Sequence, residues 1–298
     1  MDFPLCGIFP AMLTPFHEDE SIATEGIAPL TEHVLDGGVH GLFVLGTHGE
    51  AYALTIEERE TVTAGYVEAV AGRAPVWAGV GGVTTRASLA NLRAAENAGA
   101  HGLSIITPSF ISPSQDELYI HFRTIAEATD LPILLYNLPS RTHLSIEPAT
   151  LVRLAELDNI VGVKDSSGDL TNTMEYIRLT PDDFAVMNGS DALICAGLSA
   201  GACGAVAATA NVVPALTVRI YERFVAGDLA GAWAAQMELI PLRRCFPLST
   251  VPDPVKEAAR AIGLPVGPTM RPAGPMSAEG KRQLRQVMAA MGLQTLEQ

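Results

Sequence analysis

Hydrophobic residues along the chain gather in short runs, separated by longer stretches where they recur at helical spacing. Eight runs read as strands: 7–14, 41–46, 76–80, 102–107, 133–138, 160–164, 184–189 and 204–208. Runs such as ILLYNL and GLSIIT are almost continuously apolar, as expected of strands buried on both faces of a parallel sheet. The stretches between them carry helical patterns, for example Ile27, Leu30, His33, Val34 and Leu35. Thr55 before Glu57-Glu58, and Ser114 before Glu117, are helix-start signals; Gly37-Gly38 and Gly99 are stop signals. A strand-then-helix repeat of roughly 20 to 35 residues is the βαβ period. Eight such units predict an α/β chain folded as a (β/α)8 TIM barrel. An open doubly wound sheet would more often show a Gly-rich fingerprint after its first strand, and Leu13-Thr14-Pro15-Phe16 is unlike one. After Asn211 the strands stop, and 212–227, 229–246, 253–263 and 277–291 read as helices. The expected division is a barrel over 1–227 and a helical C-terminal region over 228–298.

Composition narrows the function classes. At 298 residues, 48% hydrophobic and 17% charged, the chain suits one large, well-buried barrel with an appendage. A net charge of −14 argues against nucleic acid or an anionic membrane as partner. No basic-then-apolar leader and no apolar run of bilayer length is visible, so the expectation is a soluble, cytoplasmic protein. Cys6, Cys195, Cys203 and Cys245 lack metal-site spacing and read as buried free thiols of a reducing compartment. The seven histidines are scattered, so no metal is expected and a zinc-dependent aldolase is disfavoured. No G-x-S-x-G elbow is present, which disfavours a triad hydrolase. Gly79-Val80-Gly81-Gly82 lacks the Walker ending and reads as a strand-to-helix turn.

The chemistry is suggested by lysine usage. Of 19 basic residues only Lys164, Lys256 and Lys281 are lysines. Lys164 ends the buried run IVGVK, where a solubilising role is hard to justify. Arginine cannot be deprotonated in a protein, whereas a desolvated lysine can become a neutral nucleophile. The competing role for Lys164 is an ion pair with Asp165.

In a barrel the active site lies at the C-terminal ends of the strands. Those ends supply Thr14, Thr47-His48-Gly49-Glu50, Thr107, Tyr136-Asn137, Arg141, Lys164, Gly189-Ser190-Asp191 and Thr209. One amine, one phenol, one guanidinium and several hydroxyls suit Schiff-base chemistry on a 2-oxo acid. The covalent imine would then be the only activating group, with no separate cofactor. Tyr136 could relay protons or be a core aromatic with its hydroxyl on the backbone. Arg141 could bind an anion or sit as a surface cation. His48 could be a hydrogen-bonded loop histidine, and Glu50 could bond backbone or side chains at the rim.

Four segments together carry a resemblance: Gly46-Thr47-His48-Gly49-Glu50, Tyr136-Asn137-Leu138-Pro139-Ser140-Arg141-Thr142, Gly162-Val163-Lys164-Asp165 and Gly189-Ser190-Asp191. In this order they are similar to the dihydrodipicolinate synthase/N-acetylneuraminate lyase family of class I aldolases, over nearly the whole length. The resemblance implies a (β/α)8 barrel, usually homotetrameric, with pyruvate bound as an imine on Lys164. It implies Tyr136 as proton relay, Thr47 and the His48 amide as holders of the pyruvate carboxylate, and Gly189 and Val206 beside the bound pyruvate. Ser190 joins the substrate-binding set, and Arg141 is similar to the arginine that holds the aldehyde's carboxylate in the synthases.

Two positions depart from the synthase pattern. The synthases commonly read GTTGE, and His48 replaces the second threonine. They also carry TPYY, whose second ring completes a relay across a subunit interface, where this chain has Thr107-Pro108-Ser109-Phe110. KDSSGD and NGSD look more like the family's sugar-acid and hydroxy-oxo-acid aldolases or dehydratases. Ala208 and Ala192 stand where N-acetylneuraminate lyases have a hydroxyl and an acid, which disfavours sialic acid. The expectation is a lyase joining pyruvate to, or releasing it from, a small carboxylate- or polyol-bearing aldehyde. The alternatives are a synthase acting on aspartate semialdehyde, a deoxy-oxo sugar acid dehydratase, and a non-catalytic sugar-acid binding barrel. In the first case His48, with an ordinary pKa near neutrality, is the expected substitute proton carrier.

Overall fold

The computed structural model describes residues 5–296. Eight parallel strands among them form one sheet: β1 Gly7–Pro10, β2 Leu42–Val44, β3 Val76–Gly79, β4 Gly102–Ile106, β5 Ile133–Asn137, β6 Ile160–Asp165, β7 Ala185–Asn188 and β8 Gly204–Ala207. From β2 to β8 each strand pairs with its sequence neighbour, and β8 pairs in turn with β1. The remaining seam, between β1 and β2, is closed by a parallel bridge from Ala11 to Phe43 and by Met12 N–H donating to the Phe43 carbonyl at 2.9 Å. The architecture is the (β/α)8 barrel that the strand pattern predicts.

The first two strands fall furthest short of their apolar runs. The first run leaves the ladder at Ala11, and its distal half is held by side chains instead. Leu13 N–H donates to Asn211 Oδ1 at 3.3 Å, and the Thr14 hydroxyl donates to the Gly49 carbonyl at 2.7 Å. The second run ends at Val44 because Leu45 adopts a left-handed backbone, φ 56°, which turns the chain into the following loop.

The expected start signals are real caps. Thr55 and Ser114 each accept from the backbone N–H three residues on, and Glu58 and Glu117 reach back to the caps' own N–H groups. Caps of this kind contribute about 1 kcal/mol each. After β8 the helix Pro214–Val225 packs on the barrel, followed by helices Leu229–Arg243, Asp253–Ala261 and Ala278–Ala290. Among the described residues no helix is long and apolar enough to cross a membrane. The cysteine expectation needs correction: Cys195 and Cys245 are buried, but Cys6 and Cys203 are only half-buried, near the start of β1 and β8 where the strand ends open.

Candidate active site

Register decides which side chains meet inside the barrel. Tyr136 on β5 pairs with Lys164 on β6, which pairs with Met187 on β7, and register partners share a face of the sheet. Lys164 is 3% exposed. Its Nζ lies 4.0 Å from the centre of the Tyr136 ring and 4.2 Å from that of Phe43. Burial lowers its pKa from the usual lysine value, opposed by Tyr136 and by the negative charge of Asp191. The shift favours the neutral amine that a ketone requires.

An ion pair between Lys164 and Asp165 is not formed. The Asp165 carboxylate accepts from Asn137 Nδ2 at 3.0 Å, the Thr173 hydroxyl at 2.7 Å, Asn172 Nδ2 at 3.1 Å and Ser167. It organises the loop after β6 and leaves the amine to its aromatic neighbours.

The loop after β2 brings Thr47 to the same place. Its hydroxyl lies 3.4 Å from the Tyr136 hydroxyl, a long contact that either oxygen could donate. A chain of Lys164, Tyr136 and Thr47 therefore runs from the barrel interior toward the rim. The loop is fixed from below by Thr14 on the Gly49 carbonyl and from the side by Glu50. Glu50 takes a left-handed backbone, φ 53°, and is fully buried; it accepts from Met270 N–H at 2.8 Å and lies 2.6 Å from Lys256 Nζ. Of the two partners expected for it, backbone or side chain, it has one of each.

His48 sits half-buried with its ring 6.1 Å from that of Phe246. Its Nε2 is buried and has no hydrogen-bond partner among the described residues. Burial pushes its pKa down to about 4; Asp191 opposes this, and Lys164, Arg243 and Arg141 reinforce it. The shift runs away from the near-neutral titration expected of this ring and favours its neutral form.

On β7's far end Gly189 donates its N–H to the Asp165 carbonyl at 2.7 Å. A Cβ there would lie 1.8 Å from Ser166 Oγ, so a side chain at 189 would displace the Ser166 hydroxyl. Ser190 is half-buried and shares two hydrogen bonds with Asn188. The following Asp191 is buried, with Oδ1 accepting from both Thr209 N–H and its hydroxyl at 2.6 Å each.

Thr47, His48, Tyr136, Arg141, Gly189 and Ser190 line one cavity of about 580 Å3, with Lys164 beneath Tyr136. Two expected site residues are not among the lining residues: Lys164, which lies behind the Tyr136 ring, and Val206, which is buried in β8 opposite Phe9. Arg141, on the short helix Pro139–Thr142, is exposed at the cavity mouth. Two contributors lay outside the sequence reading. Arg243, at the end of helix Leu229–Arg243, lines the same cavity, and its guanidinium lies 4.6 Å from the Phe246 ring centre. Lys256 anchors the Thr47 loop from behind. The available signal for both was the charged pairs Arg243-Arg244 and Lys256-Glu257, but no sequence pattern aims their helices at the barrel mouth.

Residues 4–291 match the model of the dihydrodipicolinate synthetase family. The chain belongs to this family. A 4-hydroxy-tetrahydrodipicolinate synthase of Methanopyrus kandleri is 40% identical over 295 residues, 98% of each chain. A dihydrodipicolinate synthase structure from Bacillus anthracis superposes with a TM-score of 0.93 at 35% identity, covering 97% of this chain and 99% of the other. A dihydrodipicolinic acid synthase family protein from E. coli K12, solved in complex with pyruvate, gives a TM-score of 0.93 at 30% identity, covering 97% and 99%. Dihydrodipicolinate synthetase family members of this kind are pyruvate-dependent class I lyases, and this chain is a lyase of that family.

Proposed function

We propose that the protein joins pyruvate to a small carboxylate-bearing aldehyde, or runs that reaction in reverse, through an imine on Lys164. The observation that carries the reading is the buried Lys164 amine enclosed by the Tyr136 and Phe43 rings, with its pKa lowered. The neutral amine attacks the ketone carbon of pyruvate and water leaves, giving an iminium. Loss of a proton from the adjacent methyl gives an enamine, whose carbon attacks the aldehyde; water then releases the product and regenerates the amine. Tyr136 shuttles the protons with Thr47 behind it, and the loop Thr47-His48 holds the pyruvate carboxylate beside Gly189 and Ser190. Arg141 takes the carboxylate of the aldehyde.

Aspartate semialdehyde as the aldehyde is the second reading, favoured by the synthase name carried by the curated relatives. Against it stands Phe110, which has no proton to pass. Phe110 is 96% exposed in a left-handed backbone, φ 73°, and Ile111 beside it is half-exposed. We propose a homotetramer in which a second copy covers this apolar tip.

The test is a panel of aldehydes offered with pyruvate, assayed beside Phe110→Tyr. The reading expects the best aldehyde to be other than aspartate semialdehyde, with turnover nearly unchanged in Phe110→Tyr. A gain of about a hundredfold in aspartate semialdehyde turnover in that variant, the scale of a restored general acid–base group, would favour the second reading.

A further inference from the structure

The cavity above Lys164 carries more positive charge than the sequence motifs account for. Arg141 and Arg243 both line it, and among the described residues neither guanidinium has a carboxylate within 4.0 Å. In a chain with 33 acidic and 19 basic residues, two unpaired arginines in one cavity call for an explanation. Asp191 is the one carboxylate among the lining residues, and its Oδ1 is committed to Thr209. Arg243 is also held in place: it is half-buried, with its planar group against Phe246, whose ring neighbours His48. A stacked guanidinium keeps its in-plane N–H donors free for a carboxylate.

Among the residues lining the cavity, the two guanidiniums of Arg141 and Arg243 against the one carboxylate of Asp191 leave its wall one positive charge in excess. Pyruvate bound as an iminium adds one positive and one negative charge and leaves that excess unchanged. A second substrate of net charge −1 neutralises it, whereas one bearing both an ammonium and a carboxylate does not.

We propose that Arg243 forms, with Arg141, an anion subsite that selects aldehyde acids lacking an amino group as the partner of pyruvate. The inference rests on the imine reading above and names the acceptor class for that site. The surrounding hydroxyls of Ser140, Ser167, Ser190, Ser249 and Thr250 suit an acceptor that also carries hydroxyl groups. The C-terminal helical region, through Arg243, thereby sets specificity for chemistry performed in the barrel. Arg243 is a specificity residue in this account and takes no part in the proton transfers.

Three four-carbon aldehydes separate charge from size: succinate semialdehyde, aspartate semialdehyde and butanal. Each is assayed with pyruvate on wild type, Arg243→Gln and Arg243→Lys, beside borohydride trapping of pyruvate and calorimetric titration of the resting proteins with glutarate. Wild type should favour succinate semialdehyde over both others. Arg243→Gln should raise its KM by about ten- to a hundredfold, the scale of a charge-assisted hydrogen bond, and weaken glutarate binding similarly. KM for butanal and trapping of pyruvate should stay unchanged, and Arg243→Lys should recover part of the loss. Equal losses for butanal and succinate semialdehyde would make Arg243 a structural residue and overturn the subsite. Unchanged glutarate binding in Arg243→Gln, or a wild-type preference for aspartate semialdehyde, would overturn it too. A wild type that traps no pyruvate yet loses glutarate affinity in Arg243→Gln would refute the imine reading while leaving the anion subsite standing.

Discussion

Lys256 Nζ lies 2.6 Å from Glu50 Oε1, and both side chains are fully buried. The contact ties the loop that carries Thr47 and His48 to the C-terminal helical region. Lys256 also donates to the Pro268 carbonyl at 2.6 Å and rests 4.3 Å from the Phe16 ring centre, while Glu50 takes the Met270 N–H. Burial works against both charges, lowering Lys256 to about 8 and raising Glu50, and the pairing opposes it in each case.

Removing one member of such a pair strands the other. Lys256→Met should destabilise the fold by ~3–5 kcal/mol, the usual cost of an uncompensated buried charge. Adding Glu50→Gln to it should restore part of that loss, because an amide is cheaper to bury than a carboxylate. Urea denaturation of the wild type, single and double variants measures this directly. A single variant within about 1 kcal/mol of wild type would show that the pair does not hold the loop.

Tyr136 touches both the amine and Thr47, so its loss should slow proton transfer without emptying the site. Tyr136→Phe should lower kcat by ~10²–10³-fold while KM for pyruvate changes little. The ring remains to pack on Lys164 and Phe43, so thermal stability should be nearly retained. A kcat within threefold of wild type would remove Tyr136 from the relay.

Much of this arrangement was legible in the chain. Buried strands announce themselves as continuous apolar runs, and a lysine ending such a run has few structural uses, so Lys164 and the barrel were readable together. The motifs also placed Thr47, Tyr136, Arg141 and Gly189 in one neighbourhood, because strand ends in a barrel converge by topology. Arg243 and Lys256 were not readable, since helix packing angles and the path of the 265–275 connection decide where those side chains arrive. The pKa of His48 was hidden for the same reason: burial lowers it, and burial depends on Phe246 from the helical region.

The neutral His48 makes a signed prediction. With a folded-state pKa of about 4 against an ordinary 6.5, the unfolded chain binds a proton between those values that the folded chain does not. Stability therefore falls as pH drops from about 6.5 toward 4, and His48→Gln should lessen that fall. The same variant should leave the neutral limb of the pH–rate profile unchanged, since the ring does not titrate there. Denaturation midpoints at pH 7, 5.5 and 4.5 for both proteins, with rate profiles alongside, check both statements. Loss of a neutral limb in the variant would return His48 to the role of proton carrier.

The central claim is that Lys164 is the amine that captures pyruvate. Incubating the protein with pyruvate and borohydride, then mapping the product by peptide mass spectrometry, tests it most directly. One reduced pyruvate per chain is expected, on Lys164, absent in Lys164→Ala and equally absent in Lys164→Arg, whose guanidinium keeps the charge but offers no neutral amine. An adduct on Lys256 or Lys281, or one that survives in Lys164→Ala, would contradict the account.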